Sequence, residues 1–109
     1  MKSTSLPIAL VSLLMIMDLP AKDIAELQRL AAGGDAKAQL ELAIALRDGK
    51  GIAKNDAEAM QWAHKAADAG LPDALDFVGF AYLRGAVVKR NPPIAIAYFK
   101  AAADESAAA

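Results

Sequence analysis

The stretch AQLELAIALRDGKGIAKNDAEAMQWAHKAADAG (38–70) decides the fold, because its pattern returns 36 residues later in ALDFVGFAYLRGAVVKRNPPIAIAYFKAAA (74–103). No gap is needed to align the two copies. Glycines, an asparagine and an aromatic residue recur at matched positions: Gly34 and Gly70, Gly49 and Gly85, Asn55 and Asn91, Trp62 and Tyr98. A fixed period of this length predicts a solenoid of stacked repeats.

Each period contains two helical patterns, each with one apolar stripe. One such stripe consists of Ala59, Trp62, Ala63, Ala66 and Ala67, and another consists of Ala74, Phe77, Val78, Ala81 and Tyr82. Both follow the i, i+3, i+4, i+7 spacing of an amphipathic helix. Asn55 with Glu58 reads as a capping box, and Asn91 followed by Pro92 is a second helix start. The spacing predicts an all-α fold with helices at about 22–32, 35–48, 56–68, 72–84 and 92–103. The short connections make neighbouring helices antiparallel.

Taken together, these positions resemble the Sel-1-like repeat, a relative of the tetratricopeptide repeat. The second copy departs from the family pattern at Val87, where the second loop glycine is expected, and at Ala101, where a lysine is expected. The resemblance covers the chain from about residue 23 onward. It implies a short α-solenoid of antiparallel helix pairs with about two and a half 36-residue repeats. A half repeat at 22–34 would precede repeats at about 35–70 and 71–106, within a domain at 22–109.

The first 21 residues differ in character from the rest of the chain. A lysine and a short polar stretch precede an apolar run from Leu6 to Met17 that only Ser12 interrupts. This run is too short to span a bilayer comfortably and fits the apolar region of a secretory signal peptide. We therefore predict a signal peptide at 1–21 and an exported bacterial protein, periplasmic or secreted. The alternative is an uncleaved segment that anchors the protein to a membrane.

Composition argues against several classes of function. The net charge is −1 without a basic stripe, which argues against a nucleic-acid binder. The chain has no cysteine and a single histidine, and Ser106 is the only serine or threonine after residue 21. Zinc sites of the usual ligand types and acyl-enzyme chemistry are therefore not expected. No glycine-rich phosphate loop follows a strand pattern. We expect no catalytic, metal-binding or cofactor-binding residues.

The only tryptophan and the only histidine lie two residues apart, at Trp62 and His64. Trp62 lies on the apolar stripe and is interpreted as a packing residue. His64 lies roughly 200° around the helix from Trp62 and off the stripe. Its partner one period later is Lys100, so the sequence predicts a solvent-exposed position and no catalytic role.

The resemblance implies a protein-binding function and places the first helix of each repeat on the concave side. Off the packing stripe, these helices carry more apolar side chains than a solvated face requires, with arginines beside them. The candidate contacts with a peptide or helix of a partner protein are Ile44, Arg47, Phe80, Leu83 and Arg84. The alternative is that the apolar members are partly buried at the repeat junction. The predicted function is an exported adaptor or scaffold, or an inhibitor of a secreted toxin; the partner's identity is left open.

The last predicted helix, 92–103, suggests a different class of function. It carries Ile94, Ile96, Tyr98 and Phe99 on more than one face. The tail that follows is too short and too polar to cover them. A structural protein that associates with itself by stacking through this helix is the alternative to the adaptor, and a homo-oligomer is its expected form.

Overall fold

The chain forms five helices in the part that the computed structural model describes, residues 23–108. They are α1 (Ile24–Ala32), α2 (Ala36–Asp48), α3 (Asp56–Asp68), α4 (Pro72–Arg84) and α5 (Pro92–Ala108). Consecutive helices pack against each other, and residues 23–108 contain no strand. The predicted all-α repeat fold is confirmed. Helices α2 and α3 form the first repeat, and α4 and α5 the second.

The predicted signal peptide at 1–21 lies outside the described residues. Between residues 23 and 108, none of the helices combines the length and the apolar character that crossing a membrane would require.

The two repeats begin their second helices with the same hydrogen bonds. The side chains of Asn55 and Asn91 each accept a bond from the backbone N–H three residues later, at 3.0 and 3.2 Å. The backbone N–H of each asparagine donates to the carbonyl of Leu46 or Tyr82, at 2.9 Å in both repeats. Because Leu46 and Tyr82 are also 36 residues apart, the N-caps predicted from the sequence fix the same loop geometry twice.

The first helix of each repeat also ends in the same way. Gly49 and Gly85 adopt left-handed backbone conformations, with φ of 70° and 75°. Farther along each loop, the side chains of Lys54 and Arg90 donate to the backbone carbonyl seven residues earlier, at 3.1 Å in both cases. The glycine turns the chain out of the helix and the cation binds a carbonyl near the helix end.

The core is built mostly from alanine, as the composition predicts. Its largest fully buried side chains are Leu42, Leu46 and Val78. The buried polar side chain of Gln39 donates from Nε2 to the carbonyl of Ala31 at 3.1 Å, which ties α1 to α2. The remaining core is dominated by small residues that let helices approach closely: Ala31, Ala38, Ala43, Ala59, Ala63, Ala66, Ala67, Ala74, Ala81, Ala95 and Ala102.

The second repeat packs its helix pair with different residues from the first. Gly79 and Phe99 occupy the positions of Ala43 and Ala63 in the first repeat. A Cβ atom on Gly79 would lie only 2.7 Å from Cε1 of the Phe99 ring. The missing side chain of Gly79 therefore provides the space that the Phe99 ring fills.

Two expectations about exposure and helix length need correction. His64 is half-buried rather than solvent-exposed, because α5 brings Tyr98 against it in an edge contact with the ring centroids 6.4 Å apart. Helix α5 continues to Ala108 instead of ending near residue 103. The carboxylate of Glu105 in this extension lies beside Gly70, 3.4 Å from where a Cβ of that glycine would be. The polar tail is thus part of the last helix.

Trp62 packs against the core, as its place on the stripe predicts, but it is only half-buried. Its indole Nε1 donates to Glu58 Oε2 at 3.3 Å, and the ammonium of Lys65 lies 4.6 Å from the ring centroid. Glu58 therefore binds the indole instead of completing the capping box with Asn55.

Candidate functional site: a groove between the two repeats

A groove lies where the second repeat packs on the first. It encloses about 230 Å³, below the range of roughly 300–1,000 Å³ that is typical of small-molecule pockets. This size fits one or two side chains of a partner better than a cofactor. Its lining residues come from both repeats: Arg47, Lys54, Asp56, Ala59, Met60, Phe77, Phe80, Ala81, Arg84, Ala86 and Val87.

An arginine guanidinium group lies over each of two phenylalanine rings of α4. The Arg47 guanidinium carbon lies 5.2 Å from the centroid of Phe77, and that of Arg84 lies 5.8 Å from the centroid of Phe80. Both distances suit cation–π contacts, which hold a long arginine side chain against an aromatic surface. The groove thus presents apolar rings and positive charge side by side.

Phe80 remains 48% exposed although it belongs to a helix that packs on both neighbours. The ring of Phe99 supports it from α5 in an edge contact, with the centroids 5.0 Å apart. Phe99 can reach this place only because Gly79 has no side chain. The glycine, Phe99 and Phe80 therefore form a connected array that fixes an exposed aromatic side chain.

Val87 carries a strained backbone at the edge of the groove. It is the only residue other than glycine with positive φ among residues 23–108, at 69°. Gly51, one period earlier, has nearly the same φ, 76°. A β-branched residue in this region costs roughly 1–2 kcal/mol, and Val87 also leaves 54% of its surface exposed. Neither folding nor burial explains why valine replaces the glycine of the first repeat.

The cations of the groove differ in their partners. Arg47 donates from Nε to Asp48 Oδ1 at 2.9 Å, and this hydrogen bond is the largest cause that holds the pKa of Asp48 below its ordinary value. Lys54 pairs with Asp56 at 2.8 Å. Among the described side chains, none of the ion pairs involves Arg84. Its positive charge is therefore the one most available to a ligand of the groove.

The structure brings together three of the five residues proposed from the sequence. Arg47, Phe80 and Arg84 line the groove. Ile44 is partly buried against the core, as the alternative of burial at the repeat junction predicts. Leu83 is exposed but lies outside the groove lining.

Sequence reasoning missed four groove residues of clear chemical character. Phe77 was assigned to the packing stripe, yet it also lines the groove, as do Met60, Lys54 and Val87. A signal was present in the alignment of the repeats, because Phe77 takes the place of the polar Glu41. Such polar-to-apolar changes at matched positions distinguish the residues that differ between the repeats from those that both repeats share.

Within residues 23–108, no group of three or more histidine, cysteine or acidic side chains is arranged to hold a metal ion. The residues of the groove are suited instead to contacts with apolar and anionic groups of a partner.

Comparisons with known proteins agree with the repeat architecture. The sequence model of the Sel1 repeat matches residues 36–71 and 72–106. The crystal structure of a Sel1 repeat protein from Oxalobacter formigenes is 34% identical with a TM-score of 0.70, over 76% of this chain and 62% of that one. A protective antigen present in uropathogenic Escherichia coli strains, displaying an SLR fold, is 25% identical with a TM-score of 0.56, over 78% of this chain and 26% of its own. This chain therefore spans less than two thirds of either neighbour. No functionally curated protein matches it.

Proposed function

The chain belongs to the Sel1 repeat family, whose members generally mediate protein–protein interaction, and on this premise we propose that it binds a partner protein in the groove between its two repeats. The family is typically non-catalytic, and we assign the chain no enzymatic activity. The proposal adds a location to the general role of the family.

The distribution of exposed apolar side chains carries this proposal. The five large hydrophobic side chains that are exposed within residues 23–107 all belong to the second repeat: Phe80, Leu83, Val87, Ile94 and Ile96. Phe80 and Val87 meet at one groove, and Val87 is kept there at a cost in backbone strain. Clustered exposed apolar surface and retained strain are both typical of binding sites.

We further propose that the protein acts after export. This rests on the apolar run at Leu6 to Met17, which has the length of a signal-peptide core. The partner would then be found in the cell envelope or outside the cell, and the first search belongs in those fractions.

The test places a photo-crosslinking amino acid at position 80 of the 109-residue chain in the source cells. Ile96 offers the matched control position, because it is exposed to a similar extent (53%) and does not line the groove. We expect one protein to crosslink from position 80 and not from position 96. Crosslinks from position 96 alone would reject the groove as the binding site.

The captured protein is then purified, and its affinity is measured by calorimetry for the wild type and two variants. Phe80→Asp should weaken binding at least thirtyfold, because loss of an aromatic anchor at an interface costs about 2 kcal/mol or more. Ile96→Asp should change it less than about threefold, the size expected for a side chain outside the interface. Circular dichroism of both variants shows whether the helices are retained.

A second candidate function is self-association through α5. Ile96 is 53% exposed, whereas Met60, one period earlier, is 6% exposed because α4 packs beside it. If this face joins two copies, sedimentation will show a mass that rises with concentration and that Ile96→Asp, but not Phe80→Asp, returns to the monomer. A constant monomer mass would reject this candidate.

A further inference from the structure

We propose that the groove accepts an acidic segment of the partner that inserts one bulky apolar side chain between carboxylate-bearing residues. This inference rests on the proposed protein-binding function and adds the chemistry of the bound segment. It follows from the apolar lining of the groove, from the positive charge of the loops beside it, and from the fact that none of the ion pairs among the described side chains involves Arg84.

The apolar part of the segment is set by the size and lining of the groove. Phe77, Phe80 and Val87 contribute exposed or half-exposed apolar surface, and the buried Met60 and Ala81 contribute lining from α3 and α4. A volume of about 230 Å³ accommodates an aliphatic or aromatic side chain of the partner. Burial of such an anchor supplies the non-directional part of the binding energy.

The charge of the segment is set by the loops beside the groove. Residues 47–56 and 84–90 contain six of the ten lysine and arginine residues found in residues 23–108, but only two of the twelve aspartate and glutamate residues. The rest of the described chain is therefore strongly acidic. This separation of charge makes the surface beside the groove electropositive. An acidic segment is therefore attracted to the groove and repelled by the other surfaces of the described chain.

Arg84 is the residue that we expect to bind a carboxylate of the partner segment directly. Among the described side chains it takes part in no ion pair, and its guanidinium lies against Phe80 at the groove. A guanidinium presents a planar set of donors that can bind a carboxylate in a bidentate manner. The matched residue of the first repeat is Asp48, which would repel the same ligand.

Nucleic acid is the competing anionic ligand, because exposed aromatic rings and cations also bind single strands. Here, however, Phe77 and Phe80 each have an arginine guanidinium near the ring, and the described chain outside the two basic loops carries ten acidic and only four basic side chains, which would repel a long polyanion. A base that stacks on either ring would compete with its guanidinium for the ring surface. The observations favour the acidic peptide, and the oligonucleotide enters the test as an outcome.

The probe is a phage-displayed library of random 16-residue peptides, selected on the 109-residue chain with Phe80→Asp as the counter-selection. We expect the enriched peptides to combine a bulky apolar residue with two or more aspartates or glutamates. Binding of a synthetic enriched peptide should weaken about tenfold in Arg84→Asp, since a favourable charge pair becomes a repulsive one. It should also weaken with added salt, which screens exposed charges. A parallel selection on Arg84→Asp should enrich lysine or arginine instead.

Several results would overturn the inference. Enriched peptides that need Phe80 but are neutral or basic would reject the acidic partner while leaving the proposed protein-binding function in place. An affinity that Arg84→Asp does not change would do the same. A selection without any Phe80-dependent peptide, or a fluorescent oligothymidine that binds more tightly than the best peptide, would also reject it. The crosslinking at position 80 judges the proposed function independently of all these outcomes.

Discussion

The two repeats share a backbone and differ in the surface that they present. Their asparagine caps and loop cations make matching hydrogen bonds 36 residues apart. Yet the exposed large hydrophobic side chains of the described chain are confined to the second repeat. The shared features are those that each helix pair needs in order to form, so the unshared ones indicate what the second repeat does in addition.

The comparison is sharpest at four matched positions in and beside the groove. Glu41, Ile44, Asp48 and Gly51 of the first repeat become Phe77, Phe80, Arg84 and Val87 of the second. The changes add two aromatic rings, reverse a charge and introduce strain. Since the first repeat forms without any of them, folding alone does not require them.

The largest expected effect comes from converting the Gly79–Phe99 pair of the second repeat into the alanine pair of the first. Gly79→Ala alone should lower the free energy of unfolding by about 1–3 kcal/mol, because its Cβ would overlap the Phe99 ring. Phe99→Ala alone should cost about 2 kcal/mol through lost packing. When Phe99 is already alanine, the further change Gly79→Ala should instead raise the free energy of unfolding by up to about 1 kcal/mol, because alanine has the higher helix propensity.

Urea denaturation of the wild type, both single variants and the double variant completes a double-mutant cycle. The expected coupling energy is about 3 kcal/mol, within the range for residues in direct contact. A coupling near zero would mean that Gly79 does not make room for Phe99, and that the support of Phe80 has another origin.

The next largest effect on the free energy of unfolding is expected from exchanging glycine and valine at the matched loop positions 51 and 87. Gly51→Val should lower the free energy of unfolding by about 2 kcal/mol, because valine is strained at positive φ and its Cβ would lie 3.1 Å from Ile24 Cγ1. Val87→Gly should raise it by about 0.5–1 kcal/mol, since the relief of strain exceeds the added entropy of the unfolded chain. Both are measured by urea denaturation. A destabilised Val87→Gly variant would show that the valine serves the fold.

The caps should behave alike in the two repeats. Asn55→Ala and Asn91→Ala each remove a side-chain acceptor of the first helical turn, and each should cost about 1 kcal/mol of stability. Thermal denaturation monitored by circular dichroism provides the comparison. Effects that differ by more than about 1 kcal/mol would break the equivalence of the two loop frameworks.

The smallest effect concerns the two stacked tyrosines, Tyr82 and Tyr98, whose ring centroids are 5.9 Å apart. Burial, followed by the nearby Tyr82 and the Asp68 carboxylate, raises the pKa of Tyr98 above its ordinary value. The stability from neutral Tyr98 is therefore complete below the unfolded pKa of about 10 and is lost as the pH rises through the folded pKa. An absorbance titration of tyrosinate should lose its later-titrating component in Tyr98→Phe. Loss of the earlier component would assign the raised pKa to Tyr82.

Much of the fold could be predicted from the sequence because it depends on local signals. Asparagine caps, glycine helix ends and apolar stripes act within a few residues, and the 36-residue period repeats them. The length of α5 was underestimated because the alanine-rich tail after Ala103 has high helix propensity, which its polar residues obscured. The partial burial of His64 could not be predicted from its own helix, because the contact with Tyr98 comes from a helix about 30 residues later.

The groove was only partly predictable for the same reason. Helix periodicity located Phe80 and Arg84 on one exposed face, but it assigned Phe77 to packing alone. A groove needs two repeats in contact, and the place of Arg47 over Phe77 depends on how α4 packs beside the first repeat. Ile44 was proposed on the same periodicity and lies against the core, since it has neighbours that the sequence of one helix does not reveal.

The most direct test of the central claim transfers the surface of the first repeat onto the second. The variant combines Phe80→Ile, Arg84→Asp and Val87→Gly, and its affinity for the protein captured from position 80 is measured by calorimetry, with urea denaturation as the control for folding. The account predicts at least a thirtyfold loss of affinity with a free energy of unfolding within about 1 kcal/mol of the wild type. Unchanged affinity in a folded variant would contradict the claim that the second repeat differs from the first in order to bind a partner.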